Sequence, residues 1–351
     1  MNEQLDISVV LSTYNRCSLL PQALESVLAQ DSGQVRYEVV VVDNNSQDET
    51  RAVVESLIER GHSNLRYLLE SRQGVSYARN TGIENTRAPI IAFFDDDERV
   101  APDWIASIKR AFDEHPEVDF IGGKVLPLWE TEPPQWLTSE HWSPVALTDY
   151  GDAPFYSNSE NPVCLISANL AMRHNVFDKV GLFDTTLQRV KDNIGSMEDH
   201  ELLMRLWRIG GQGMYVPDMV VEAEVPTKRM SKAYHRKWHT GHGKYSALNR
   251  MQEHFDEQAR LLQKPLESTK FFATPTFVYR ELIETGRIWL KAILQGNKSG
   301  AFFRENQVRH LISYIRTSHQ NNPVKQSLFG EMSTLLKKFF GAANSDDSRK
   351  L

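Results

Sequence analysis

Apolar runs of strand length alternate with helix-period segments through the first two thirds of this 351-residue chain. Residues 7–11, 37–42 and 64–69 are apolar-rich and bounded by polar residues, and each reads as a strand. After the first, Leu20, Ala23, Leu24, Val27 and Leu28 recur on one helical face. After the second, Ser46 and Glu49 have capping-box spacing ahead of Val53, Val54, Leu57 and Ile58. Residues 74–83 read as a third helix, ended near Gly82. The run Ile90-Ile91-Ala92-Phe93-Phe94 is a fourth strand, and it passes directly into Asp95-Asp96-Asp97-Glu98. Continuous apolar runs of this kind suit strands buried on both faces. A helix over 102–114, strands over 118–125, 163–172 and 214–221, and an amphipathic helix over 197–209 complete the pattern. The alternation predicts an α/β fold, a mainly parallel sheet with helices on both faces.

Two stretches break the alternation. Residues 127–162 are rich in proline and aromatics, Trp129, Trp136 and Trp142 among them. That composition argues for an ordered loop rather than disorder. Beyond Pro226 the chain turns helical and basic, with His235, His239 and His242 set among lysines and arginines. Phe277, Val278, Leu282, Ile283, Trp289, Leu290 and Ile293 lie among Arg280, Arg287 and Lys291, and residues 328–340 carry a second apolar stripe at helical spacing. An α/β domain over residues 1–240 and a basic, mostly helical extension over 241–351 are expected.

Charge sharpens that division. The chain carries 40 Lys and Arg against 46 Asp and Glu, a net of −6. Residues 1–225 hold 18 basic and 36 acidic side chains, and residues 226–351 hold 22 and 10. An acidic body repels phosphate backbones and no reader motif is present, so nucleic acid is excluded as a partner. The basic extension suits an anionic surface, such as the inner face of a cell membrane. No apolar run approaches bilayer length. Cys17 and Cys164 make neither a disulfide framework nor a metal spacing, and the acidic start lacks a signal-peptide pattern. A cytoplasmic location is expected, with peripheral membrane contact through the extension.

Candidate chemistry gathers where the strands end. In open α/β sheets, ligands bind beyond the carboxyl ends of the strands. There the first strand delivers Thr13, Tyr14, Asn15 and Arg16, the second Asp43, and the fourth Asp95 to Glu98. In an extended backbone Asp95 and Asp97 share one side and Asp96 takes the other. Two converging carboxylates suit a hard cation, Mg²⁺ or Mn²⁺, which usually also holds substrate phosphates. Arg72 and Arg79 flank a helix start, and arginine matches phosphate with its bidentate fork. Asp199 opens the helix over 197–209, where the helix dipole favours a carboxylate and a general base has a place; Ser196 and Asp199 equally have capping-box spacing.

Five segments together resemble the family-two inverting glycosyltransferases of GT-A (Rossmann-like) fold. They are Ser-Thr-Tyr-Asn-Arg at 12–16, Val-Asp-Asn-Asn-Ser-Gln-Asp at 42–48, Gly-Val-Ser-Tyr-Ala-Arg-Asn-Thr-Gly-Ile at 74–83, Phe-Phe-Asp-Asp-Asp-Glu at 93–98, and Met-Glu-Asp-His-Glu-Leu-Leu-Met-Arg-Leu at 197–206. Their order and spacing match over roughly residues 5–240. The resemblance implies a nucleotide-diphospho-sugar donor, UDP-linked, with Mn²⁺ or Mg²⁺ on its diphosphate, and a saccharide or lipid-linked acceptor. The donor nucleotide is then expected on Thr13, Tyr14, Asn15, Arg16, Asp43, Asn45, Arg72, Arg79, Asp95 and Asp96. Asp95, Asp97 and Glu224 are the expected metal ligands. Glu224 stands where many members place a histidine ligand, and Glu98 stands where the usual motif ends in aspartate. Asp199 becomes the base that deprotonates the acceptor, with Glu198, Trp129, Trp136 and Trp142 on the acceptor side. The basic segment holding the three histidines is either a lid over the diphosphate or a solvated helix. The alternatives are a nucleotidyltransferase of related fold, which lacks its glycine-rich loop here, and an inactive, membrane-recruited nucleotide-sugar-binding module.

Overall fold

A computed structural model of the chain describes residues 4–187 and 197–321. The chain divides into two compact units, Met1–Trp238 with Asp256–Gln263, and His239–Phe255 with Lys264–Leu351. The segment 256–263 thus returns to the first unit, beyond the expected boundary at 240. The apolar stripe over 328–340 and the Ser196 end of the expected capping box lie outside the described residues.

The first unit is built on a nine-stranded sheet. Its strands are β1 (Ile7–Thr13), β2 (Tyr37–Asp43), β3 (Leu65–Leu69), β4 (Ile90–Asp95), β5 (Glu98–Val100), β6 (Phe120–Trp129), β7 (Phe155–Ser157), β8 (Asn169–Arg173) and β9 (Gly213–Val225). The order is β3-β2-β1-β4-β8-β6-β9-β5, with β7 also on β9. β3, β2, β1 and β4 are parallel, as their apolar runs predict. Beyond β4 the sheet is mixed: β8 runs antiparallel to both β4 and β6, while β6 and β9 are parallel.

Helices cover both faces. α1 (Leu20–Leu28), α2 (Thr50–Glu59) and α4 (Trp104–Glu114) share one core with Ile7, Val9, Leu11, Val39, Val41, Ala92 and Phe94. The alternate residues Val10, Val40, Val42 and Phe93 are equally buried and face the other side. There α3 (Val75–Glu84) packs on β1 and β2, and Phe93 meets Phe183 edge-on at 5.8 Å. Two further helices follow β8: α5 (Asn175–Val180) and α6 (Glu198–Arg208).

Three local expectations change. The strand expected over 163–172 is confined to β8, and half-buried Cys164 lies outside it. β5 is a three-residue strand between the acids and α4, held antiparallel to β9. The Ser46–Glu49 capping box does not form, because Ser46 Oγ accepts from Asn15 N at 2.9 Å; Asp48 instead accepts from Thr50 N and Oγ1.

Gly123 marks the register shift between β6 and β9, where a Cβ would overlap the Met219 carbonyl. Gly123→Ala is expected to lower unfolding free energy by about 1–3 kcal/mol, read as a reduced urea midpoint at unchanged m value.

Candidate functional site

The carboxyl ends of the parallel strands are level. Thr13 lies opposite Asp43, and Ser12 opposite Asp95. Asn15 and Asn45 take φ of 51° and 64°, the left-handed region that asparagine tolerates best among non-glycine residues. Asn15 Oδ1 accepts from Gln47 N at 2.7 Å, and Cys17 N donates to Asp48 Oδ2 at 3.0 Å. These bonds lace the loop after β1 to the loop after β2. Asn15 is therefore built into the loop, Tyr14 is half-buried and Asn45 is exposed.

Asp43 is buried; Oδ1 accepts from Ser46 N and Oδ2 from the Tyr67 hydroxyl, each at 2.8 Å. Burial and Asp43 together push the Tyr67 phenol up, so it stays a donor. Glu70, just past β3, takes Arg72 Nη2 at 2.6 Å and Thr81 Oγ1 at 2.5 Å. Hydrogen bonding from Arg72 holds the Glu70 carboxyl down at about 2 although burial opposes it. Arg72 itself remains 61% exposed at its side chain, with its guanidinium 4.7 Å from the Tyr77 ring centre.

The four acids from the end of β4 onward do not alternate as an extended run would, because β4 stops at Asp95 and the chain turns. Asp96 is buried; Oδ2 accepts from Thr13 Oγ1 at 2.7 Å, and Oδ1 lies 3.6 Å from Arg16 Nη1. Asp97 pairs with the same Arg16 nitrogen at 2.8 Å and lies 3.7 Å from Arg229. Asp96 and Asp97 thus bracket one guanidinium rather than pointing apart. Burial pushes the Asp96 carboxyl up to about 7, with Arg16 opposing. Burial lowers the Arg16 pKa but Asp96 and Asp97 outweigh it, so the guanidinium stays charged. Glu98 is buried, its Oε2 accepts from Asp95 N at 2.6 Å, and burial with Asp95 and Asp97 raises its carboxyl well above the usual range. Its place is to close the acidic turn.

Arg79 joins this edge to the acids of α6. It is 5% exposed on α3, and its guanidinium lies 3.4 Å from Asp95, 3.2 Å from Glu198 and 3.7 Å from Asp199. Burial opposes its charge, and Asp199, Asp95 and Glu198 more than restore it. Next to it Asn80 exchanges two hydrogen bonds with the Phe183 backbone, at 2.9 and 3.0 Å, which fixes the chain at Phe183. Asp199 sits in the first turn of α6. Its Oδ2 accepts from Ser167 N and Oγ at 3.2 and 3.1 Å, while Oδ1 accepts no hydrogen bond among the described residues.

Other expected residues are engaged otherwise. Glu224 N donates to the Asp97 carbonyl at 2.8 Å, but its carboxylate is taken by Arg99 at 2.7 Å. Trp129, Trp136 and Trp142 are partly buried against a small core that includes Val125, Leu147 and Val225, so the aromatic loop caps that part of the sheet. The segment after β9 forms α7 (Lys232–Leu248), and it is not simply solvated: His235 is fully buried, its ring 5.0 Å from Trp136. Burial and His141 hold that imidazole down at about 4, hence neutral. Glu70, Ser167 and Arg229 are absent from the expected set. The strand-end rule points to Glu70, whereas nothing in the sequence marks Ser167.

Carboxylates from β4 and α6, a buried arginine between them, and a laced loop pair at the parallel edge suit an anionic substrate that brings a cation, and proton removal nearby. A family model described as "Glycosyl transferase family 2" matches residues 8–181. The chain is 27% identical over 210 residues to the glucosyl-dolichyl phosphate glucuronosyltransferase of Haloferax volcanii, 59% of this chain and 65% of that protein. It thus spans less than two thirds of that relative's length. Two solved structures share the fold. The mannosyltransferase PcManGT from Pyrobaculum calidifontis, in complex with GDP-Man and Mn²⁺, has a TM-score of 0.53 at 18% identity, over 99% of this chain and 82% of that one. Residues 1–349 of Staphylococcus aureus TarS, in complex with UDP-GlcNAc, also give 0.53, at 17% identity over 90% and 91%.

Removing the Arg79 charge strands its carboxylates. Arg79→Met is expected to cost about 3–5 kcal/mol in urea unfolding, with Arg79→Lys recovering part of the loss. The depressed Glu70 carboxyl stabilises the fold above its unfolded value near 4.5, and that contribution is lost as pH falls toward 2. Glu70→Gln should flatten the pH dependence of the urea midpoint across that window.

Proposed function

The chain belongs to glycosyl transferase family 2, and on that premise we propose that it moves a sugar from a UDP-linked donor to an acceptor hydroxyl, with inversion at the anomeric carbon. Membership makes it a glycosyltransferase acting on nucleotide-sugar donors; the base, the metal, the nucleotide and the acceptor are part of the proposal.

The carrying observation is Asp199. One oxygen is fixed by Ser167, the other accepts no hydrogen bond among the described residues, and Arg79 ties the group to Asp95. In this reading Asp199 takes the proton of the acceptor hydroxyl as its oxygen attacks the anomeric carbon. The nucleoside diphosphate leaves with the bonding electron pair. Thr13, Arg16 and Asp43 hold the nucleotide, and Arg72 remains exposed for a phosphate. Glu198, buried against Arg79, positions that arginine.

A divalent cation fits the donor set without being enclosed by it. Among the described residues no three His, Cys, Asp or Glu side chains converge on one point. Mg²⁺ and Mn²⁺ commonly take one or two carboxylates and complete their shell with water and phosphate. Asp95, 36% exposed at its side chain, and Asp97 would hold it. Such an ion would neutralise the diphosphate leaving group.

A lipid-linked acceptor draws its support from the dolichyl phosphate named for the archaeal relative. A saccharide hydroxyl offers the same chemistry to Asp199. Cytoplasmic location belongs to the reading and rests on two free cysteines.

Release of nucleotide from a panel of UDP- and GDP-sugars with Mn²⁺ tests the proposal. Asp199→Asn should lower kcat by about 10²–10⁴-fold with donor affinity nearly unchanged; an unchanged kcat would remove Asp199 from the chemistry. Chelation by EDTA should abolish turnover and added Mn²⁺ restore it, and full activity in EDTA would refute the metal.

A further inference from the structure

Among the described residues, the second unit carries an uncovered helical face of a specific chemistry. Its helical hairpin consists of α8 (Thr276–Leu294) and α9 (Lys298–Gln320). One face of α8 does the packing: Val278 is fully buried with Ala247, Leu311 and Tyr314, and Phe277 and Leu282 lie against that cluster. The rest of its surface carries apolar side chains as well. Of twelve large exposed hydrophobic side chains among the described residues, five fall on α8. Ile283, Leu290 and Leu294 are 57%, 59% and 87% exposed, and Ile288 and Ile293 add 39% and 50%.

At 3.6 residues per turn, Ile283, Leu290 and Leu294 fall within about 40° of arc. Arg280, Arg287 and Lys291 fall within another arc of about 40°, directly beside the first. A shallow recess about these cations is lined by Arg280, Ile283, Glu284, Arg287 and Ile288. Glu281 and Glu284 sit beyond the cations, away from the apolar stripe. The described residues of the second unit, 239–255 and 264–321, carry 11 Lys and Arg against 5 Asp and Glu.

We propose that this face of α8 docks in the plane of an anionic lipid bilayer, the aliphatic stripe in the acyl boundary and Arg280, Arg287 and Lys291 among the headgroup phosphates. A row of aliphatic side chains flanked by cations is the composition of an interfacial helix. No helix among the described residues is long and apolar enough to cross a membrane, so contact of this kind lies on the surface. Charge selects the occupant. Two copies meeting through the stripe would bring two rows of cations together, whereas anionic headgroups complement them. The proposal stands apart from the chemistry: a lipid surface is recognised by α8 whatever the first unit transfers.

The test is co-sedimentation of the full chain with vesicles of phosphatidylcholine, alone or with about one third phosphatidylglycerol. Three cations near the surface predict about a hundred-fold preference for the anionic vesicles, weakened by added salt. Ile283→Ser/Leu290→Ser/Leu294→Ser should reduce binding at least ten-fold while thermal midpoint and nucleotide release stay unchanged. Arg280→Ser/Arg287→Ser/Lys291→Ser should erase the preference for anionic lipid, and it decides the matter if the aliphatic variant fails to fold. Equal binding to both vesicle types, or full binding by either folded variant, overturns the proposal. So does a wild-type dimer that the aliphatic variant converts to a monomer, which would assign the stripe to a second copy.

Discussion

A single buried guanidinium holds the two halves of the candidate site together. Arg79 is carried by α3 and meets Asp95 at the end of β4 and Glu198 and Asp199 at the start of α6. Three carboxylates this close would repel one another in a poorly solvated pocket, at a cost of several kcal/mol. One arginine cannot neutralise three acids. Part of the balance comes from the N-terminus of α6, whose dipole favours anions, and from Ser167 donating to Asp199. The residual negative charge faces the same edge as the donor-side loops. A bound cation with substrate phosphates would meet it there.

The same logic runs along the rest of the edge. Arg16 lies between Asp96 and Asp97, Glu70 is bonded by Arg72, and Glu224 by Arg99. Most of the acids that crowd this edge are met by an arginine from another part of the chain or from a neighbouring turn, whereas Asp43 and Glu98 are held by Ser46 N, the Tyr67 hydroxyl and Asp95 N. Binding a donor diphosphate with its cation would therefore exchange partners rather than fill an empty charged pocket. Under the proposed reading, that exchange would tie donor binding to the position of Asp199, because Asp95 and Asp199 share Arg79.

The parallel half of the sheet is legible in the sequence because buried strands must be apolar over their whole length. Val39 to Val42 and Ile90 to Phe94 admit little else. The strand-end rule then finds Thr13, Asp43 and Asp95, and applied to β3 it would have found Glu70 as well. Two things stay hidden. The alternation of Asp95, Asp96 and Asp97 assumes a strand that in fact stops at Asp95, where Glu98 accepts the Asp95 N–H and closes a turn. The pairing of Arg79 with Glu198 spans 119 positions, and no local pattern announces it. His235 fails for a related reason: a basic helix reads as solvated until Trp136, a hundred residues earlier, is seen against its ring. Long-range packing decides such residues, and periodicity is silent on it.

The central claim is a single displacement in which Asp199 activates the attacking oxygen. Water can replace the acceptor, so the claim is testable without knowing the acceptor. The most direct measurement is proton NMR of the sugar released from whichever α-linked nucleotide-sugar the enzyme hydrolyses, recorded before mutarotation. The account predicts that the β anomer forms first. First appearance of the α anomer would mean retention, and would contradict it.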